Sequence, residues 1–459
     1  MFFSVYTLGC KLNQLETEAI TDSFSRQGFI PASWNSPDAA FRVINTCTVT
    51  SMAEQKARRV IRKILRDYPM ACLIVTGCYA QMEQEALASL KEGSGRLFVI
   101  PGESKDRLLD LGMHLEKAGV LSAENPAALP EIISSFANDK NEAGDGTFRF
   151  KPENFSAHSR GFLKIQDGCD SHCSYCRVGQ ARGKSRSLEA DEALRELKAL
   201  EQKGFAEAVL TGVNITQYNN SELRLASLID FLLKGTERIR LRLSSIEPEG
   251  LNEEFFRIIK NKRIRPHFHL SVQSGSSDVL KKMGRHYSSM EIEETLKQLR
   301  SVRDDPFLAC DIIAGFPGET EVDFQKTLEL CKRSAFAWIH AFPFSPRPGT
   351  EAASFSGKVS ESEATKRVKL LTELANLGRK QYIERWIGRE VEAIVEKSGD
   401  KSLPQGQVQG ISENYLKLSI DCGTEPVSAP GSLIHCRLLK QVPMYGKKLN
   451  DVDALCTCI

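Results

Sequence analysis

Gly168-Cys169-Asp170-Ser171-His172-Cys173-Ser174-Tyr175-Cys176 decides how the rest of the chain is read. Gaps of three and two residues put three cysteines in one short loop, just past an apolar strand candidate at 162–166. Three thiolates can hold three corners of a cubane [4Fe-4S] cluster and leave one iron without a protein ligand. An open metal position can bind and activate a small molecule, as a closed one cannot. A structural zinc knot is the alternative, with His172 or His158 as fourth ligand, although zinc more usually takes two separated ligand pairs.

Downstream of the loop, apolar runs at 206–211, 239–244, 267–272, 307–313 and 336–342 continue the series opened at 162–166. Helical patterns at 188–203, 252–260, 291–302 and 321–332 lie between them. Six βα repeats of one polarity predict an open, partial (βα)6 barrel with its chemistry at the carboxyl ends of the strands. Glu247 and Gln273 fall at the ends of the third and fourth strands, with Ser245 close by, where polar side chains line a barrel mouth. A buried polar group satisfied by its neighbours is the plain alternative for each.

Upstream, strand-like runs at 2–8, 41–44, 72–76 and 97–100 alternate with helical patterns at 14–27, 52–68 and 81–90. This alternation predicts a parallel sheet covered by helices. Cys10, Cys47 and Cys78 each follow one of those strands. Strands of a parallel sheet present their carboxyl ends along one edge, so these three cysteines can converge there. Three unrelated buried thiols would be the alternative. Cys72 lies within its strand and reads as a buried small hydrophobe.

The fold class is therefore α/β with an added β module. Residues 1–121 form the N-terminal parallel domain, and the polar stretch 122–154 is expected to be a linker. The partial barrel occupies 155–384 and closes on a long charged helix at about 360–385. From 385 to 448, short alternating runs between Gly, Pro and Asn predict a small β-barrel. Residues 449–459 are expected to be a frayed tail. Its Cys456-Thr457-Cys458-Ile459 end fits a prenylation box in form only, since Thr457 and Cys458 are poor aliphatic residues for one.

Composition fits these readings. The 459 residues are 41% hydrophobic and 26% charged, ordinary for a folded chain. No apolar run reaches the roughly 18 residues of a membrane helix, and the start lacks a secretory n-region, so a cytoplasmic location without membrane attachment is expected. Thirteen cysteines in such a chain favour metal or redox work over disulfides. The net charge of +2 names no partner, so nucleic acid would have to be held by local patches. Two patches stand out. One is Lys56, Arg58, Arg59, Arg62, Lys63 and Arg66 on a single helix, readable as a solvated face or as phosphate contact. The other is Arg177, Arg182, Lys184 and Arg186 beside the cysteine loop, read as phosphate contact.

The loop spacing, placed after an apolar strand and before a βα series, resembles the radical S-adenosylmethionine (SAM) enzymes. With the second cysteine set, the whole chain resembles the methylthiotransferases of that superfamily. The likeness runs through Phe162-Leu-Lys-Ile-Gln-Asp-Gly-Cys169, Leu210-Thr-Gly-Val-Asn214, Leu243-Ser-Ser-Ile-Glu-Pro248, His269-Leu-Ser-Val-Gln-Ser-Gly275, Gly315-Phe-Pro-Gly-Glu319 and Phe344-Ser-Pro-Arg-Pro-Gly349. Thr7-Leu-Gly-Cys-Lys-Leu-Asn-Gln14, with Glu16 after it, is most similar to the branch acting on threonylcarbamoyl-adenosine in tRNA. The isopentenyl-adenosine branch usually has Tyr-Gly-Cys-Gln-Met-Asn there, and the branch modifying a ribosomal-protein aspartate has Leu-Gly-Cys followed by other residues. One departure is clear: the family commonly has an aliphatic pair and then Pro-Tyr after the third loop cysteine, where this chain has Arg177-Val-Gly-Gln180.

The resemblance implies two [4Fe-4S] clusters, one on Cys169, Cys173 and Cys176 and an auxiliary one on Cys10, Cys47 and Cys78. It implies two uses of SAM, as source of a 5′-deoxyadenosyl radical and as methyl donor to sulfur. It places Gly212, Asn214, Ser245, Glu247 and Gln273 as contacts to SAM or substrate. It makes the C-terminal module a TRAM-like RNA binder, tRNA the partner, and a low-potential electron donor a necessity. The module's nine Lys/Arg against seven Asp/Glu give that role no support from charge. Methylthiolation of isopentenyl-adenosine or of a ribosomal-protein aspartate, and a non-catalytic zinc- and RNA-binding protein, are the competing readings.

Overall fold

A computed structural model describes residues 1–91, 95–120, 128–139, 146–221, 223–397, 406–423, 428–442 and 452–459. The first domain is a five-stranded, all-parallel sheet in the order Ile30–Pro31, Phe2–Thr7, Ala39–Thr46, Cys72–Gly77, Leu97–Val99. The central strands are nearly continuous apolar runs because both faces are covered. Helix Lys11–Arg26 buries Phe24 against Phe3 and Phe41 on one face. Helix Ser51–Asp67 buries Ala57, Ile61 and Ile64 against Leu73 and Val75 on the other.

The stretch expected to be a linker belongs to this domain's core. Leu129–Asn138 is a helix, and its Leu129, Ile133 and Phe136 join Phe150 beneath the sheet. Pro130 sits in the helix's first turn, where its missing N–H costs nothing. Residues 122–127 and 140–145 of that stretch lie outside the described residues.

The second domain carries all six expected strands as two three-stranded parallel sheets. One orders Gly161–Lys164, Glu207–Thr211 and Arg240–Leu243, and the other His267–Gln273, Phe307–Ala314 and Trp338–Pro343. Between the two sheets, among the described residues, the chain makes single bridges, Leu241 to Ile264 and Ile246 to Leu270, and no continuous ladder, so the barrel is partial. Leu15, from the first domain's helix Lys11–Arg26, shares the barrel's hydrophobic core. The N-terminal domain is thereby seated on the barrel.

Helix Glu361–Trp386 leads into a closed five-stranded barrel of Glu390–Val395, Gln407–Ser412, Lys417–Asp421, Ala454–Cys458 and Leu433–Gln441. The tail is not frayed. Ala454–Cys458 is the strand that closes this barrel, pairing with both Lys417–Asp421 and Leu433–Gln441, and Cys456 is buried. The expected boundary at 448/449 lies outside the described residues. The barrel shares one core with Phe307 and Ala309 of the second domain through Tyr382 and Trp386. Behind that core, Glu207 holds Arg242 and Arg265, and Arg265 reaches on to Glu392 of the barrel. The two guanidinium groups keep the buried Glu207 carboxyl down at about 2 despite its burial. No helix among the described residues is long and apolar enough to cross a membrane.

Candidate functional site

Cys10, Cys47 and Cys78 follow the ends of three adjacent strands, and glycines make their convergence feasible. Gly9 has φ 114° and Gly77 φ 97°. A Cβ at Gly9 would lie 2.8 Å from Cys47 Cβ and 3.0 Å from its Sγ; one at Gly77 would lie 2.4 Å from the Thr46 carbonyl oxygen. Only glycine fits such turns. Burial pushes the Cys47 thiol up to about 12, and the neighbouring Cys10 and Cys78 push in the same direction. Three thiolates at this edge would repel one another unless they shared a cationic centre, so the donor set suits a metal cluster. Cys72 points away, into the core on the other side of the sheet.

Cys169, Cys173 and Cys176 form a compact second group past Gly161–Lys164. Gly168, at φ 71°, starts the loop where a Cβ would be 2.0 Å from the Lys184 carbonyl oxygen. The backbone N–H groups of Ser171 and Val178 donate to the Sγ atoms of Cys169 and Cys176, each at 3.4 Å. Such donors favour thiolates. Burial pushes the Cys173 thiol up to about 12, Arg285 opposes this, and Cys176 adds to it. Among the described residues no three His, Cys, Asp or Glu side chains are drawn tightly enough together to share one ion. A cubane accommodates that spread, since its cysteines bind different irons. Of the two candidate fourth ligands for zinc, His158 has its Nδ1 engaged by Glu18 Oε1 at 2.5 Å, and His172 is exposed in the loop.

One arginine, its side chain less than a tenth exposed, accompanies each triplet. Arg285 pairs with Glu247, donates to the Tyr175 hydroxyl at 2.7 Å, and opposes the rise that burial imposes on the thiols of Cys173 and Cys176. Arg182 belongs to the barrel domain but reaches into the first. Its Nε donates to Cys78 Sγ at 3.3 Å, and its terminal nitrogens donate to Glu16, to Asn13 Oδ1 at 2.9 Å and to Asp167 at 3.1 Å. Lys105 and Lys164 complete the knot on Glu16. Neighbouring Arg182 and Lys164 keep the Asp167 carboxyl at about 2, against a burial penalty that would raise it. Beside this knot lies a cavity of about 460 Å³ between the domains, lined by Cys78, Lys105, Lys164, Arg182 and Lys184.

The sequence reading of Arg177 and Arg182 as phosphate contacts is corrected here. Both are spent on the domain seam. Arg177, first residue of the departure from the family pattern, is buried and donates to Glu83 Oε1 at 3.0 Å, with Glu54 at 3.6 Å. Gln180, its last, donates to the Gly349 carbonyl at 3.0 Å. Arg347, from the Phe344–Gly349 segment, donates to Ser51 Oγ at 2.9 Å and pairs with Glu54. Through Arg177 the departure thus serves a polar seam between the domains. Lys184 and Arg186 remain exposed.

At the barrel mouth, Gln166 organises the strand ends. Its Oε1 accepts from the N–H groups of Val213 at 3.0 Å and Asn214 at 2.9 Å, while its Nε2 donates to the Gly168 carbonyl at 2.8 Å. A Cβ at Gly212 would sit 2.8 Å from Gln166 Oε1, so the close approach of Gln166 requires a glycine here. Asn214 Oδ1 caps Thr216 N–H at 3.1 Å, but its Nδ2 is buried without a partner, as is the Ser244 hydroxyl. Ser245 is half-buried next to it. Gln273 is buried with φ 65°, a backbone strain that non-glycine residues carry chiefly at functional sites. Glu247 is turned to Arg285. The sequence reading missed Arg285, Tyr175 and Gln166, and it had no signal for what Arg182 contacts.

Comparison with known proteins agrees with this architecture. Residues 163–331 match the Radical SAM superfamily and residues 3–98 match Uncharacterized protein family UPF0004. The threonylcarbamoyladenosine tRNA methylthiotransferase MtaB of Treponema pallidum (strain Nichols) is 40% identical, over 95% of this chain and 97% of that protein. The enzyme of that name from Thermotoga maritima is 35% identical, over 90% of each chain. A tRNA-2-methylthio-N(6)-dimethylallyladenosine synthase from Pelobacter propionicus is 31% identical, over 89% of this chain and 90% of its own. Among solved structures, the radical S-adenosylmethionine methyltransferase TsrM from Kitasatospora setae shares the fold, with a TM-score of 0.50, 14% identity and 76% of each chain covered. The chain belongs to the radical SAM methylthiotransferases, in the group of the threonylcarbamoyladenosine tRNA methylthiotransferases.

Proposed function

We propose that this chain is a tRNA methylthiotransferase that places a methylthio group on C2 of N6-threonylcarbamoyladenosine beside the anticodon, at position 37. The observation that carries the reading is the pair of cysteine triplets, each with its own arginine, in two domains joined by a polar seam. C2–H is unactivated and gives acid–base chemistry no handle. Bound here, two [4Fe-4S] clusters and SAM would supply the carbon radical and the methylated sulfur that such a position requires.

On this reading Cys169, Cys173 and Cys176 hold the radical-generating cluster, and Cys10, Cys47 and Cys78 the sulfur-handling one. Asn214 Nδ2 and the Ser244 hydroxyl, both without protein partners, supply polar contacts to SAM at the strand ends, with Gln273 and Ser245 beside them. Glu247 fixes Arg285, which in turn balances the charge of the loop cysteines. The sulfur-handling unit comprises residues 1–121 with the helix Leu129–Asn138, the radical unit 155–384, and the RNA-binding barrel the chain from 385 to its last strand. A low-potential electron donor is the remaining partner.

Nucleoside mass spectrometry of tRNA from a strain lacking this gene tests the reading. Loss of the 2-methylthio derivative, with the parent threonylcarbamoyl-adenosine retained, is expected, and the intact gene should restore it. In vitro, tRNA bearing threonylcarbamoyl-adenosine should turn over faster than tRNA bearing isopentenyl-adenosine, because a pocket built for polar carbamoyl groups is left unpaired by an alkyl chain. Equal turnover would overturn the branch, and an unchanged nucleoside profile in the deletion strain would overturn the activity.

A further inference from the structure

Helix Ser51–Asp67 begins four residues after Cys47 and carries more unneutralised charge than any use above requires. Its apolar side, Ala57, Ile61 and Ile64, is buried under the sheet. On its outer side Lys56, Arg59, Arg62 and Lys63 are exposed and take part in no ion pair among the described residues. The two acids of the helix do not neutralise them. Glu54 is buried and held by Arg347, and Asp67 pairs with Arg66 at the far end. At 1.5 Å per residue, the cations from Lys56 to Arg66 extend about 15 Å along the helix.

Position adds to charge. The helix starts at the domain seam, where Ser51 Oγ meets Ser345 Oγ at 2.8 Å and accepts from Arg347 at 2.9 Å. The row of cations leads away from the seam that joins the two cysteine-bearing domains. Around the C-terminal barrel, among the described residues, Arg379, Arg385, Arg389 and Arg437 are paired with Asp453, Asp305, Asp304 and Glu390 respectively. In a chain of net charge +2, an unpaired cationic row is a local feature suited to a polyanion.

We propose that the exposed face of Lys56, Arg59, Arg62 and Lys63 docks the phosphate backbone of the substrate RNA's stem, while the target nucleotide enters the seam. This rests on the tRNA reading above. Such contacts set position and register without reading sequence. Each phosphate contact releases counterions, so affinity should fall with salt by a slope that counts the contacts.

The test is tRNA binding by the cluster-loaded protein across a series of salt concentrations, with the variant Arg59→Gln/Arg62→Gln/Lys63→Gln. We expect affinity at low salt to drop at least about tenfold and the slope of log affinity against log salt to shrink by about 2 to 3. SAM cleavage in the absence of tRNA should be unchanged. A matched variant, Lys297→Gln/Lys332→Gln/Lys369→Gln, removes the same charge from exposed sites on other helices and should bind almost normally. Wild-type affinity and slope in the first variant, or equal weakening in the matched one, would overturn the proposal. So would binding to vesicles of anionic phospholipid that depends on this face while tRNA binding does not. Failure of the wild-type protein to bind tRNA at all would instead strike the proposed function itself.

Discussion

The two cysteine triplets reach similar environments by opposite routes. Cys169, Cys173 and Cys176 are neighbours in the chain, set in one loop whose turns are fixed by Gly168 and by backbone donors to sulfur. Cys10 and Cys78 lie 68 positions apart with Cys47 between them, and the three meet only once three strands are in register. Their arginines differ in the same sense. Arg285 comes from the loop triplet's own domain, whereas Arg182 crosses from the barrel to reach Cys78. The loop triplet takes its arginine from within the barrel domain, whereas the N-terminal triplet takes its arginine across the docked seam.

Removing one cysteine from each set gives the largest contrast. Cys173→Ala should abolish release of 5′-deoxyadenosine from SAM while the other cluster's iron stays. Cys47→Ala should stop methylthio product yet leave 5′-deoxyadenosine release largely intact. Matching losses in both variants would dissolve the division of labour.

Breaking the interdomain arginine comes next. Arg182→Met leaves Glu16 and Asp167 short of a buried partner, a cost of about 3–5 kcal/mol. We expect a lower Tm and poor iron retention on Cys10, Cys47 and Cys78, with the loop cluster's spectrum preserved. Normal iron content on both would mean that docking does not matter to the auxiliary centre.

Acid should loosen the same knot. The Asp167 carboxyl is held at about 2 in the folded protein, below its ordinary range near 4, and Glu16 is lowered as well. A lowered carboxyl stabilises the fold fully above its unfolded value, and that stability is lost as pH falls toward the folded one. Stability to urea should therefore decline by about 2 kcal/mol between about pH 5 and pH 2, and Asp167→Asn should flatten the decline. A decline of the same size in Asp167→Asn would place the acid sensitivity elsewhere.

Cys72→Ala is the smallest change and sharpens the comparison by doing little. It removes one buried sulfur that faces the domain core, at about 1 kcal/mol, and should retain both clusters and product. Loss of auxiliary iron in this variant would mean that the wrong cysteine of that strand region had been chosen.

These contrasts also mark what the residues alone could reveal. The six barrel strands and the parallel N-terminal sheet were legible because apolar runs of strand length alternate with helical periodicity. The seam was not. Arg177 and Arg182 look like any basic cluster until Glu83, Glu54, Glu16 and Cys78 are brought to them from a different domain. The closing strand Ala454–Cys458 was missed because its partners lie far upstream at 417–421 and 433–441, and a short terminal run with two cysteines carries no strand pattern of its own. Its place in the barrel also changes how the module should be tested. Cutting the chain at 385 would expose Tyr382 and Phe307, so surface substitutions probe RNA binding more cleanly than truncation.

The central claim is that two separate triplets each hold an iron–sulfur cluster. Iron and acid-labile sulfide analysis of anaerobically prepared protein tests it most directly, in the wild type and in two triple variants: Cys10→Ala/Cys47→Ala/Cys78→Ala and Cys169→Ala/Cys173→Ala/Cys176→Ala. The account predicts about eight irons and eight sulfides per wild-type chain, and about four of each in either variant. Stoichiometric zinc without sulfide, or about four irons in the wild type that survive loss of Cys10, Cys47 and Cys78, would contradict it.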